Sequence, residues 1–196
     1  MEFFSILIAL VAVLTVDATV LNSRQTSGSE CAGAVSSMAV YDRPFVYPLF
    51  LSCKNALGNS AAAKEDPWVN RNCVAAAVAA SIPIFHDGLT CGVSTGTVDL
   101  TPISTWPSLD TNVYASIVGS TDGRITQQNF IDLIYGAISE EGGAYPDSAA
   151  TLIEYYIQPV FNWTALSIAD GIPYTNFNDW LHYSPTVNHC YPFACA

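Results

Sequence analysis

Apolar residues recur at three- and four-residue intervals along most of this chain, the spacing of helices with one buried face. Cys31, Val35, Met38 and Ala39 keep that spacing until Asp42-Arg43-Pro44 interrupts it. Pro48 suits a first helical position, with Leu49, Phe50, Cys53, Ala56 and Leu57 on one stripe and Gly58 as the stop. Asp66-Pro67 reads as an N-cap carboxylate followed by proline. The helix it opens turns Val69, Cys73, Ala76, Ala77 and Ala80 inward and ends before Pro83. Its small side chains predict close packing against a second helix.

Residues 83–109 break the pattern. Pro83, Gly88, Gly92, Gly96, Pro102 and Pro107 punctuate them, and β-branched residues fill the intervals. This composition predicts a long ordered loop over about 83–109, pinned by a disulfide and holding at most one short hairpin. Helical order resumes where Asp110 caps a short helix over 111–118. Thr126 caps the clearest amphipathic helix, with Phe130, Leu133, Ile134, Ala137 and Ile138 inward and Gly142-Gly143 as its end. Pro146-Asp147-Ser148 starts another, with Ala149, Leu152, Ile153 and Tyr156 inward and Pro159 as stop or kink. Residues 179–183 form a last helical turn. No internal repeat and no dividing linker is visible, so the expectation is a single compact all-α domain of about six or seven helices.

Composition adds compartment and partner class. The chain has 196 residues, 51% hydrophobic and 12% charged, with 17 acids against 6 bases. A chain this apolar can build a core, and a net charge of −11 argues against nucleic acid and anionic membrane surfaces as partners. Beyond Arg124 there is no Lys or Arg, while Asp132, Glu140, Glu141, Asp147, Glu154, Asp170 and Asp179 follow. Residues 3–16 are an apolar run too short to span a bilayer and suited to a signal-peptide core, with cleavage after Ala18. Arg24 offers a second trimming point, residues 19–29 read as flexible, and 30–196 as the mature domain, with no membrane segment after cleavage.

Six cysteines, Cys31, Cys53, Cys73, Cys91, Cys190 and Cys195, lie beyond that cleavage point. An even count in an exported chain predicts three disulfides, with 15 connectivities open. Asn162-Trp163-Thr164 is an N-glycosylation sequon, which agrees with the secretory route.

Candidate chemistry is sparse. Gly92-Val93-Ser94-Thr95-Gly96 is a literal G-x-S-x-G, and secreted cutinases resemble this chain in that pentapeptide. In an α/β-hydrolase Ser94 would be the nucleophile on a sharp strand-to-helix turn, with His182 or His189 downstream as base. Neither flank of the pentapeptide reads as the required strand or helix. His86 and Asp87 are the candidates for an acid/base or metal site, but the three histidines are scattered and no ligand spacing appears, so no metal and no cofactor is expected. Carboxylate pairs for glycoside hydrolysis could be drawn from Asp87, Asp99, Asp110, Glu140, Glu141 and Glu154, with Trp68, Trp106, Trp163 and Trp180 as a sugar-binding face. Residues 118–129 resemble an EF-hand loop: Asp122-Gly123 take positions five and six, and Ile125 position eight. Positions one, three and twelve are Val118, Ser120 and Asn129, so one carboxylate would face a divalent cation. The helix–turn–helix shape is expected there without calcium.

The segments Ser81-Ile82-Pro83-Ile84-Phe85-His86-Asp87-Gly88-Leu89-Thr90-Cys91 and Asp122-Gly123-Arg124-Ile125-Thr126-Gln127-Gln128-Asn129-Phe130, with the export signal and acidic α-rich body, resemble the secreted small subunits of heterodimeric fungal laccases. That resemblance implies a non-catalytic subunit without copper ligands that stabilises a large oxidase subunit. The expectation is a secreted, glycosylated accessory protein that binds a protein partner, with the acidic residues Glu140, Glu141 and Glu154 as candidate contacts. The alternative is a small extracellular hydrolase acting through Ser94 or a carboxylate pair.

Overall fold

In the computed structural model the helices, in chain order, are α1 (Val46–Ala56), α2 (Arg71–Ala80), α3 (Ile82–Thr90), α4 (Thr111–Val118), α5 (Gln127–Glu141), α6 (Ala149–Leu152), α7 (Gln158–Thr164) and α8 (Tyr174–Tyr183). Short 3-10 turns lie at Pro67–Val69 and Ile103–Thr105, and a π turn, Ile153–Ile157, joins α6 to α7. The structure describes residues 45–58, 66–90 and 102–184, together with Gly33, Val35, Ser36, Met38 and Ala39. Among the described residues there is no β-strand, so the chain forms the expected all-α, disulfide-containing domain.

Helix α1 buries Val46, Leu49, Phe50 and Cys53, while Ala56, expected on the same stripe, is exposed. Pro48 is its third residue; the first-turn N–H groups have no intrahelical partner, so the missing donor costs nothing there. A disulfide between Cys53 and Cys73 fixes α1 to α2. Asp66 does not cap α2 as expected. It precedes the turn Pro67–Val69, and the cap is Asn70, whose side-chain oxygen accepts from Asn72 N at 2.8 Å. This offset turns Val69 outward, 55% exposed. Every residue from 73 to 80 on α2 is fully buried. The helix packs against α1, α3, α4, α5 and the π turn, and alanine side chains let all of those backbones come close.

The expected loop over 83–109 is replaced in its first part by α3. Pro83 lies in the opening turn of that helix, where proline is tolerated. Gly88 is there for space: a Cβ would come within 2.7 Å of Met38 Cε and 2.9 Å of the Phe50 ring. Between α2 and α3 the chain bends by 118° at Ser81, which takes φ 71 and ψ 150, a region ordinarily left to glycine. Residues 91–101, where the remainder of the predicted loop begins, lie outside the described residues.

From residue 110 onward the caps at the starts of α4, α5 and α6 are the expected ones. Asp110 Oδ1 accepts from Asn112 N and Val113 N at the start of α4. Thr126 and Asn129 form a capping box on α5, and the five residues of the predicted apolar stripe are its buried ones. Ser148 caps α6 through Thr151 N at 3.1 Å, although Ala149 is exposed rather than inward. Pro159 neither stops nor breaks the helix: the wider π turn before it accommodates the missing amide and the ring. Helix α8 runs ten residues, longer than the single turn expected.

The structure also contains a repeat that the sequence does not display. α4 and α5 flank one loop, and the α6–π–α7 rod and α8 flank a second. The two loops meet in an antiparallel bridge, with Ile125 N donating to Ile172 O at 2.8 Å and Ile172 N to Ile125 O at 2.9 Å.

Candidate functional site

His86 and Asp87, expected in a loop, lie on α3. The His86 ring is buried and tilted against Trp106 at 5.1 Å, and its Nδ1 is 3.4 Å from Asp87 Oδ1, long for a directed hydrogen bond. Trp106 also meets Trp68 edge-on at 5.4 Å, and Trp68 stacks on Phe85 at 5.7 Å. Trp68 and Trp180 are fully buried and Trp106 nearly so, which places three of the four tryptophans in the core rather than on a sugar-binding face. Their large apolar area outweighs the exposure such a face requires.

His182, on α8, closes the other side of this aromatic cluster. Its Nδ1 lies 2.6 Å from Asn178 O, and its Nε2 lies 3.0 Å from Trp106 O and 2.9 Å from Pro107 O. All three are acceptors. A neutral imidazole has a single N–H and serves one side only, whereas the imidazolium donates to both. Both ring nitrogens of His182 thus face backbone carbonyls, which ties α8 to the segment before α4. Ser94 and His189 lie outside the described residues. Ser81, which the sequence gave no reason to single out, is buried with a strained backbone, and among the described residues its hydroxyl has no hydrogen-bond partner.

Asp66, which the sequence pointed to only as a helix cap, is affected by the charge of Asp110, a candidate carboxylate. Burial first, and then the neighbouring Asp110 carboxylate, push the Asp66 carboxyl above its usual range. Among the described residues Asp66 Oδ1 is buried without a hydrogen-bond partner, although a backbone hydrogen bond from Trp68 to the carboxyl works against the rise, while Asp110 is held by the two α4 amides. Tyr174 donates to Leu109 O at 2.6 Å beside them, and burial followed by Asp110 raises its hydroxyl. Among the described residues no group of three or more His, Cys, Asp or Glu side chains is placed to hold a metal ion.

The three candidate partner contacts are not equivalent. Glu141 Oε1 accepts from Ser52 Oγ at 2.6 Å, and Ser52 Oγ accepts from Asn72 Nδ2 at 3.1 Å, so this carboxylate joins α5 to α1 and α2. Glu140 is exposed in the last turn of α5, and Glu154 is exposed on the π turn, a different element. Sequence reasoning passed over Tyr145, which is 52% exposed yet held edge-on against Tyr135 at 5.4 Å. Glu140 and Asp147 flank it along the chain, both exposed.

Of the six cysteines, Cys53 and Cys73 are paired; Cys31, Cys91, Cys190 and Cys195 lie outside the described residues. Asn162 is exposed on α7 with its Oδ1 accepting from Gln158 Nε2 at 2.9 Å, so a glycan there would project outward. Thr164 of the sequon is buried and bonded to Val160 O and Phe161 O. Attachment would therefore precede folding. No family model, curated protein or solved structure matches the chain.

Proposed function

We propose that this is a secreted, non-catalytic accessory protein that binds and stabilises a protein partner, docking through the acidic and aromatic end of α5. The observation that carries this reading is Tyr145: a large side chain half in solvent, pre-positioned by Tyr135 and flanked by Glu140 and Asp147. A rigid tyrosine costs little entropy to bury, and surrounding carboxylates suit a partner surface carrying Lys or Arg. The resemblance to small subunits of heterodimeric fungal laccases supplies the partner class, the large subunit of a secreted oxidase. Purification of native material under non-denaturing conditions should bring down such a subunit in stoichiometric amount, identified by mass spectrometry. Tyr145→Ala combined with Glu140→Gln should weaken that complex about tenfold or more. A protein that travels alone at every concentration overturns the reading.

A second reading, a small hydrolase using paired carboxylates, draws support from Asp66 and Asp110 alone. Asp66, raised by burial, would be the acid and Asp110 the second carboxylate. Asp66→Asn or Asp110→Asn should then abolish hydrolysis of a polysaccharide panel. No turnover by the unmodified protein removes it.

A further inference from the structure

The paired loops of residues 111–183 match, in outline, the arrangement in which two EF-hand loops lie side by side. Ile125 and Ile172 occupy equivalent places in the bridge, and Phe130 and Phe177 each follow five residues later. Both phenylalanines are fully buried, with ring centres 5.6 Å apart. Helix caps follow the bridge in both units, Thr126 before α5 and Pro173 before α8.

The donor set does not fit calcium, which takes six to eight oxygens including several carboxylates. Counted back from Ile125, the side-chain ligand positions of the first loop are Val118, Ser120, Asp122, Thr126 and Asn129; counted back from Ile172, those of the second are Ala165, Ser167, Ala169, Pro173 and Asn176. Asp122 is the single carboxylate. The first loop is closed on itself: a Cβ on Gly123 would lie 2.9 Å from Ser120 Oγ and 3.0 Å from a Val118 methyl. Asn129 Oδ1 is already occupied by Thr126 N and Oγ1, at 2.9 and 2.8 Å. In the second loop Asp170 Oδ2 accepts from Ser167 Oγ at 2.6 Å.

Other groups bridge the loops instead. The Tyr114 hydroxyl, buried, lies 2.8 Å from Gly123 O in one loop and 3.1 Å from Ile172 O in the other, one donor shared across the joint. Arg124 of the first loop reaches Asp170 O and Gly171 O of the second, at 3.3 and 3.4 Å. Gly171 has φ +67, and a Cβ there would stand 3.0 Å from Arg124 Cβ, so the second loop is shaped to admit that side chain. The pair also packs against α2, whose residues 73–80 are wholly buried. A helix of this chain thus fills apolar space of the kind that, in calcium-responsive pairs, a partner helix enters.

We propose that residues 111–183 are a calcium-independent helix–loop–helix pair, held closed by the Tyr114 hydroxyl and the Arg124 guanidinium in the place of bound cations. The pair is a fixed scaffold and not a calcium switch. Amide hydrogen exchange on the full chain tests this, with calcium chloride alone as the probe. Exchange at Ile125 and Ile172 and the Tm should be the same in chelator and in millimolar calcium, a concentration that fills even weak extracellular sites. Tyr114→Phe, which removes only the hydroxyl, should speed exchange at both residues by roughly five- to tenfold. Arg124→Gln should have a smaller effect in the same direction, about twofold, because its bonds are long and exposed. Slower exchange or a higher Tm with calcium overturns the proposal. So does unchanged exchange at both isoleucines in Tyr114→Phe.

Discussion

Residues 45–90 and residues 111–183 reach helical structure by different means. In the second region three of the five helix starts are written locally: Asp110, Thr126 with Asn129, and Ser148 accept the first free amides, while α7 and α8 begin without a side-chain cap, and glycines 119 and 142 take positive φ at the ends of α4 and α5. In the first, α1 has no side-chain cap, the proline expected to open α2 lies in a separate turn, and a serine bends the chain by 118° in a glycine-like conformation. That region is held by tertiary means: the Cys53–Cys73 disulfide, a helix buried on all sides, and Gly88 pressed on Met38 and Phe50. Local coding sets where an element starts and stops through residues within one turn of its ends. Tertiary coding yields elements that depend on their neighbours.

The largest test of this contrast removes the disulfide. Cys53→Ser with Cys73→Ser opens a loop of 20 residues and should cost about 3 kcal/mol, with exchange rising first in residues 45–90. Uniform loss across both regions would show that they are not separately coded. Gly88→Ala should cost about 1–3 kcal/mol in a denaturant melt, because the Phe50 ring cannot move aside freely. His182→Phe keeps the ring in the aromatic cluster but removes the nitrogens that face the carbonyls of Asn178, Trp106 and Pro107; a loss of about 1–3 kcal/mol is expected.

Relief of strain sharpens the comparison further. Ser81→Gly removes both the unfavourable φ and the orphaned hydroxyl and should stabilise by about 1 kcal/mol. Ala165, the corresponding non-glycine in the second region, has φ 55 in the ordinary left-handed well. Ala165→Gly should change stability little, since the added freedom of the unfolded chain offsets the gain.

A further effect depends on pH. Asp66 is raised in the folded protein, by burial and then by Asp110. A carboxyl raised on folding contributes most below its unfolded value of 3.8, and that contribution is lost as pH rises through the folded value. Asp66→Asn stays neutral throughout, so it should raise Tm at neutral pH and leave it unchanged well below 3.8. A Tm change independent of pH would assign Asp66 a packing role only.

Much of the fold was readable because amphipathic spacing and caps act over one or two turns. The stripe Phe130, Leu133, Ile134, Ala137, Ile138 is an example, with Thr126 and Gly142 at its ends. Helix α3 was not readable: proline and glycine at 83 and 88 are loop signals by local preference, overridden here by an opening-turn position and a close contact. The candidate sites were less legible still. Asp66 and Asp110 are 44 residues apart in sequence, and nothing local signals that their charges meet. Tyr145 looks like any loop tyrosine until Tyr135 is seen to hold it.

By itself, then, the sequence determined an all-α chain, the limits of most helices beyond residue 110, and a loop at 118–129 short of carboxylates. Those properties depend on neighbours within a few residues. Tertiary structure alone decided that α2 would be the buried axis, that two loops would pair at Ile125 and Ile172, and that Tyr114 would fasten them. Each of these joins groups tens of residues apart, and their energy comes from burial and hydrogen bonds that exist only once the helices have packed.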